Sequence, residues 1–183
     1  MRVGTASIAI VMALMVGACG DKASDTAQSN EASTSADTLA EALGNAGDLS
    51  ISAKMIETAQ LGTALEGADS YTVFLPVDSA WTSLDTAERQ AIESAENRPQ
   101  LVAVLRQHIA PGYVLAADLK NGLAAKDGTV TLATMGTTPI KLRRNGEVIS
   151  LGTGSEAPRI VGQPIVAGNN VVYRIDKLIP PPS

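Results

Sequence analysis

The order of two hydrophobic patterns constrains the fold of this chain more than any other feature of its sequence. In its first part apolar side chains recur mostly at helical spacing, as Leu39, Ala42 and Leu43 do. Beyond residue 128 they occur in short β-rich runs separated by turn residues, and Asn145-Gly146 is a strong hairpin signal. Helices that precede strands, rather than alternate with them, predict an α+β fold with a helix-rich N-terminal half and a strand-rich C-terminal half.

The helical part also contains one predicted strand, from Tyr71 to Leu75, which Pro76 stops. Three residues stand in N-cap positions for predicted helices, namely Asp37, Asp78 and Asn97. The helices are predicted at 37–46, 52–60, 78–81 and 86–95, and from Asn97 to just before Pro111-Gly112.

The strand-rich part contains a series of short β candidates. They lie at 129–132, 140–143, 147–151, 159–161, 165–166 and 171–175. Gly168-Asn169-Asn170 is a predicted turn that leads the chain into the last of them. No internal repeat is found, so these strands are expected to belong to one domain rather than to an array.

The N-terminus has the pattern of an export signal. Arg2 is followed by a short, mostly apolar run from Val3 to Val16, which is too short to span a bilayer comfortably. Val16-Gly17-Ala18-Cys19 resembles the lipobox of bacterial lipoproteins, in which the cysteine thiol accepts the lipid. We therefore expect residues 1–18 to be a lipoprotein signal peptide and Cys19 to be the lipidated first residue of the mature protein. An ordinary signal with a chance cysteine is the alternative.

A polar stretch follows the predicted lipidation site. Residues 20–36 are rich in Ser, Thr, Ala, Asp and Glu and contain hardly any large apolar side chain, so they cannot offset the entropy of ordering. Residues 19–36 are predicted to be a lipidated flexible tether, with a folded domain at 37–183. Gly20, rather than Asp, follows Cys19, which favours the outer membrane over the inner one, with the domain on the periplasmic or surface face.

Composition narrows the possible chemistry. The formal net charge is −5 and no basic block occurs, which argues against a nucleic-acid partner. Cys19 is the only cysteine and His108 the only histidine, so no metal site, disulfide or cofactor is expected. His108 lies on the apolar side of a predicted helix, and we expect a buried imidazole that hydrogen bonds satisfy.

Three segments together resemble the fasciclin (FAS1) domain family. They are Thr72–Trp81 (TVFLPVDSAW), Leu105–Gly112 (LRQHIAPG) and Asn169–Lys177 (NNVVYRIDK), and their order and spacing fit one domain over nearly all of the predicted mature chain. The positions that match the family motifs are Thr72, Val73, Phe74, Pro76, Asp78, Ala80, Trp81, His108, Pro111, Gly112, Asn169, Asn170, Val172, Ile175 and Asp176.

The resemblance implies a wedge of β-strands with helices packed against it, and roles for the matched residues that are mostly structural. Asp78 would cap the next helix, Trp81 would fill a core position usually held by Phe, and Asn169 and Asn170 would turn the chain into its last strand. Gln107 stands where the family has the Tyr of a tyrosine–histidine pair, which has been implicated in integrin binding in animal members. The resemblance therefore does not extend to an integrin site.

The function that the sequence predicts is that of a non-enzymatic, membrane-anchored binding module in cell adhesion or in matrix or envelope interaction. Its partner would be a protein or polysaccharide surface ligand, contacted through exposed loops at 111–114 and 133–139. The alternative is a carrier of small apolar ligands in the cell envelope, with a cleft between helices and sheet. A hydrolase built around His108 is a third reading, which the absence of a G-x-S-x-G motif disfavours.

Overall fold

Two β-sheets organise the protein. The structure is a computed structural model that describes residues 34–125 and 128–180. The predicted signal peptide, Cys19 and most of the predicted tether lie outside these residues. The strands are β1 (Thr34–Ala36), β2 (Tyr71–Pro76), β3 (Ile109–Pro111), β4 (Thr129–Leu132), β5 (Ile140–Asn145), β6 (Val148–Leu151), β7 (Ile160–Ala167) and β8 (Asn170–Ile175). The helices are α1 (Leu39–Asn45), α2 (Ser50–Thr58), α3 (Gly62–Leu65), α4 (Asp78–Thr82), α5 (Thr86–Glu93), α6 (Arg98–Gln107) and α7 (Ala116–Ala125).

The larger sheet has five strands in the order β1-β7-β8-β2-β3, and the smaller has the order β4-β5-β6. The two central strands, β2 and β8, pair in parallel with Tyr71 opposite Asn170 and Pro76 opposite Ile175. Both strands are buried along nearly their whole length. This burial explains their almost continuous apolar sequences, because a strand covered on both faces has no solvent side to alternate with.

The two faces of the larger sheet bury different cores. Successive side chains of β2 point to opposite faces, so Val73 and Leu75 join one core and Phe74 joins the other. The first core is completed by α1, α2, α4 and α6, and it holds the fully buried Trp81. The second is completed by α7 and by the smaller sheet, with Leu119 and Leu142 among its members. The predicted α+β fold, with helices packed against strands, is confirmed.

Several element predictions need correction. Thr34–Ala36, within the predicted tether, pairs in parallel with β7, so the sheet begins before residue 37. The helix that starts at Arg98 ends at Gln107, and the residues up to Pro111 form β3. The predicted strands at 159–161 and 165–166 are parts of β7, which a register shift interrupts. The helices α3 and α7 were not predicted, although Leu119 and Leu123 of α7 have helical spacing and are both buried.

The predicted N-cap Asp37 is wrong, and the predicted N-cap Asn97 is right in position but makes no cap bond. Thr38, not Asp37, caps α1, because its Oγ1 accepts from the Glu41 amide at 3.1 Å. Asn97 occupies the cap position of α6, but its side chain donates to Ala91 O and makes no cap bond.

Asp78 caps a different helix from the one that the sequence predicted. It is the first residue of α4, whose N-cap is Val77. Its carboxylate accepts from Ser50 Oγ at 2.6 Å and from the Ile51 amide at 2.9 Å, both in the first turn of α2. The carboxylate satisfies the free N–H of Ile51, and its negative charge interacts favourably with the N-terminal end of the helix dipole, so Asp78 ties the turn after β2 to α2.

Candidate functional site

The first matched segment, Thr72–Trp81, has packing roles. Trp81 is fully buried, and its indole N–H donates to Ser52 Oγ at 2.8 Å. Ser52 Oγ in turn donates to Pro76 O at 2.6 Å, so the polar atom of the tryptophan is linked to the end of β2. Phe74 stacks on Tyr173 with ring centroids 5.5 Å apart. Val73 and Ala80 are buried as well.

The last matched segment also holds the fold together. The turn before β8 consists of Gly168 and Asn169, because Ala167 pairs with Asn170. The prediction that both asparagines form the turn is therefore wrong for Asn170, which is the first residue of β8. Asn169 Nδ2 donates to the carbonyls of Gly67 and Asp69, and Asn170 Nδ2 donates to the carbonyl of Leu65.

The other matched residues of this segment are structural as well. Val172 and Ile175 are fully buried in β8. Asp176 accepts from the Arg159 amide at 2.7 Å, which closes the end of β7 against the end of β8.

His108 is buried and its ring nitrogens are both occupied. Nε2 accepts from the Ile179 amide at 3.0 Å, so the ring proton is on Nδ1, which donates to Val104 O at 2.8 Å. Burial lowers the pKa of the imidazole from 6.5 to about 4, against the smaller opposing effect of the Val104 hydrogen bond. The predicted buried, hydrogen-bonded imidazole is confirmed, and its neutral form joins α6 to the C-terminal segment at Ile179.

Gln107 joins α6 to a second segment. Its side-chain Nε2 donates to Thr138 O at 2.6 Å, and its Oε1 accepts from the Thr138 amide at 3.4 Å. The Met135 amide adds a bond of 2.8 Å to Ile109 O. Gly136 packs so tightly against Gln107 that any Cβ there would clash with it. We call residues 133–139 the 133–139 loop, and Gln107 is its main side-chain anchor.

Residues 111–115, which we call the 111–115 loop, are held by side chains of the central strands β2 and β8. The buried hydroxyl of Thr72 donates to Gly112 O at 2.8 Å and accepts from the Val114 amide at 3.0 Å. The Tyr173 hydroxyl donates to Val114 O at 3.0 Å. This loop exposes two large apolar side chains, Tyr113 at 40% and Leu115 at 39%. The predicted contact loop at 111–114 is therefore an exposed apolar surface on a fixed backbone.

An apolar groove of about 760 Å³ lies between α5 and α6. The 133–139 loop closes it on one side at Met135–Thr137, and the C-terminal segment closes it on another at Leu178–Pro180. The sequence predicted a cleft between helices and sheet, whereas this groove lies between two helices and two loops. Its lining includes Leu84, Ala91, Ile92, Val102, Ala103 and Met135, with the charged residues Glu88 and Arg106. A second groove of about 680 Å³ lies between α1, α2 and α3.

Two further features concern residues 34–125 and 128–180. No group of three or more His, Cys, Asp or Glu side chains there is arranged to hold a metal ion. No helix in these residues combines the length and the apolar character needed to cross a membrane.

Comparison with known proteins gives a consistent result. A family profile described as the fasciclin domain matches residues 47–181. Protein sll1483 of Synechocystis sp. is 27% identical over 154 residues, which cover 84% of this chain and 79% of that protein. Periostin of Homo sapiens is 30% identical over 123 residues, 67% of this chain and 14% of periostin. The transforming growth factor-beta-induced protein ig-h3 of Sus scrofa is 30% identical over 141 residues, 77% of this chain and 19% of that protein.

A solved structure shows the same fold. A FAS1 domain pair from the insect cell adhesion molecule fasciclin I superposes with a TM-score of 0.67 at 19% sequence identity. The match covers 78% of this chain and 50% of that one. The chain therefore spans half of the insect domain pair and less than a fifth of each of the two animal proteins.

Proposed function

This chain belongs to the fasciclin domain family, and from that premise we propose that it is a non-enzymatic binding module of the adhesion type. The 111–115 loop supports this proposal most strongly. It exposes Tyr113 and Leu115 while Thr72 and Tyr173 hold its backbone. Because the loop is already ordered, binding a partner costs little further conformational entropy. Aromatic side chains on such a surface suit a protein or polysaccharide ligand.

The state of His108 supports the non-enzymatic part of the proposal. A general acid or base needs a nitrogen within reach of a substrate and a pKa near the working pH. The imidazole of His108 is buried, both of its nitrogens are bonded to backbone groups, and its pKa is lowered to about 4. Its role in this position is structural, because its hydrogen bonds join α6 to the C-terminal segment.

The proposal includes a membrane anchor on Cys19, with residues 1–18 removed and the polar residues that follow acting as a tether. A lipid would hold many copies at one surface, and weak contacts made by many copies add up through their effective concentration. Labelling with palmitate tests the anchor. The wild-type precursor should incorporate the label, and the Cys19→Ser precursor should not. Labelling of the Cys19→Ser precursor would contradict the anchor. Separation of inner and outer membranes would then locate the labelled protein, which we expect in the outer membrane fraction.

Deletion and complementation in the source organism would test the adhesive role. Cells that lack the gene should attach to surfaces and to one another less well, and the wild-type gene should restore attachment. The double variant Tyr113→Ser/Leu115→Ser should fail to restore it. Val148→Ser is the matched control, because Val148 is 44% exposed but lies in β6, outside this loop. Unchanged attachment in the deletion strain would contradict the proposal.

A further inference from the structure

The groove between α5 and α6 is independent of the 111–115 loop and has the features of a ligand site. The two helices contact each other and are joined by a 3₁₀ turn at Ala95–Asn97. The groove between them has a volume of about 760 Å³, which is within the range of pockets that hold small organic ligands. Leu84, Ile92, Val102 and Leu178 are partly buried on the first core, so its apolar walls continue the packed interior.

The two segments that close the groove are fastened by neighbouring residues at the end of α6. Gln107 bonds Thr138 and thereby holds the 133–139 loop, and His108 bonds Ile179 and thereby holds the C-terminal segment. Both side chains are buried. The groove is therefore already formed in the unliganded protein, so a ligand that fits it need not reorganise the fold.

Arg106 places a positively charged guanidinium on the lining of the groove. It lies on the lining, it is exposed, and its guanidinium has no ion-pair or hydrogen-bond partner in the described part of the chain. Glu88 also lies on the lining but forms no ion pair with it among these residues. A guanidinium presents parallel N–H donors that match a carboxylate, and it is more weakly hydrated than an ammonium group.

We propose that this groove binds a single-chain amphiphile of the long-chain carboxylate class, with its alkyl chain along the apolar walls and its carboxylate on Arg106. The chain would remove apolar surface from water on both the ligand and the groove. The head group would form a charge-assisted pair with the Arg106 guanidinium at the rim. Both contributions are needed, because an exposed ion pair alone is worth little.

Titration of the purified full-length protein with palmitate, hexadecanol and hexadecylammonium below their aggregation limits would test the proposal by calorimetry. Palmitate should bind saturably, and more tightly than the other two. Arg106→Gln should weaken palmitate binding by about tenfold and leave hexadecanol binding unchanged, as expected for the loss of one charged contact. Arg143→Gln is the matched control, because Arg143 is exposed in β5, away from the groove.

A second variant tests the location. Ala103 is exposed and lines the groove, so Ala103→Trp should fill it and abolish palmitate binding without disturbing the core. Ala117→Trp, at an exposed position of α7, should bind like wild type. Ala91→Phe fills the same space from α5 and serves if Ala103→Trp does not fold.

Several results would overturn the proposal. The first two are that the wild type does not bind palmitate saturably, or that it binds hexadecylammonium more tightly than palmitate. The other two are that Arg106→Gln weakens palmitate and hexadecanol binding equally, or that a folded Ala103→Trp binds palmitate as the wild type does. A dimer that Ala103→Trp dissolves, seen by sedimentation, would assign the groove to a second copy instead. Tyr113→Ser/Leu115→Ser should bind palmitate normally, so failure of the groove and failure of the adhesive loop are distinguishable.

Discussion

The 111–115 loop and the 133–139 loop both contact β3, but they are held in different ways. The first continues directly from β3, and side chains of the central strands β2 and β8 satisfy its backbone, through Thr72 and Tyr173. The second is held by one backbone bond to Ile109 and by the amide of Gln107 at the end of α6. The 111–115 loop is therefore fixed to the middle of the sheet, whereas the 133–139 loop is fixed to the edge strand β3 and to the end of α6.

This difference separates the two surfaces that we propose as binding sites. A loop fixed to central strands cannot move without disturbing the core, so its exposed Tyr113 and Leu115 keep a defined position. A loop that is held at a sheet edge and by one side chain can open locally at a smaller cost in free energy. The 133–139 loop forms one wall of the groove.

Acid should have the largest effect on stability, because protonation of His108 breaks the link between α6 and the C-terminal segment that closes the groove. The pKa of His108 is about 4 in the folded protein and 6.5 when unperturbed, so the unfolded chain binds the proton more readily. The stability that depends on neutral His108 is fully present above pH 6.5 and is lost as the pH falls towards 4. The loss should be about 3 kcal/mol of unfolding free energy, from the size of the shift.

Urea denaturation between pH 4 and pH 7 would measure this loss, and His108→Asn is the comparison. This variant should be less stable than wild type at pH 7, and its unfolding free energy should fall less over the same interval. Parallel pH profiles for the two proteins would show that His108 is not responsible.

Removal of the Thr72 hydroxyl should have the next largest effect and should loosen the 111–115 loop. Thr72→Val leaves Gly112 O and the Val114 amide without their partner and should lower the unfolding free energy by about 2 kcal/mol. Thr131→Val, at an exposed position of β4, should change it by less than about 0.5 kcal/mol. Equal urea midpoints for Thr72→Val and wild type would contradict the account of how this loop is held.

Removal of the Gln107 side chain should have a smaller effect that is confined to the 133–139 loop. Gln107→Ala loses one short and one long hydrogen bond to Thr138 and should lower the unfolding free energy by about 1 kcal/mol. Amide hydrogen exchange should accelerate at Met135 and Thr138 and stay unchanged at Gly112 and Val114. Gln90→Ala, exposed on α5, is the control. Faster exchange in both loops would show that they are not held separately.

The parts of the fold that could be predicted from the sequence are those that local chemistry determines. The strand β2 follows from a β-rich run that a proline stops, and the burial of His108 follows from its place among apolar helical positions. The role of Asp78 was predicted for the wrong helix, because its partners Ser50 and Ile51 lie 28 and 27 residues away. Nothing local distinguishes such a contact from a cap on the helix that the aspartate itself begins.

The candidate sites were predictable to different degrees for the same reason. Exposed loops at 111–114 and 133–139 follow from turn residues and polarity. The hydrogen bonds by which Thr72 anchors the first loop span 40 and 42 residues. The bond by which Gln107 anchors the second loop spans 31 residues, so the sequence reveals neither anchor. The groove requires α5, α6, the 133–139 loop and the C-terminal segment to meet, which only the folded chain shows.

The central claim is that this chain is a binding module that works through the 111–115 loop, and surface attachment tests it most directly. Cells of the source organism would be counted on surfaces coated with equal amounts of purified wild type, Tyr113→Ser/Leu115→Ser or Val148→Ser. The unfolding free energies of all three should agree within about 0.5 kcal/mol, because the replaced side chains are exposed. The account predicts that wild type and Val148→Ser retain cells and that the double variant does not. Equal retention by all three proteins, or by none of them, would contradict it.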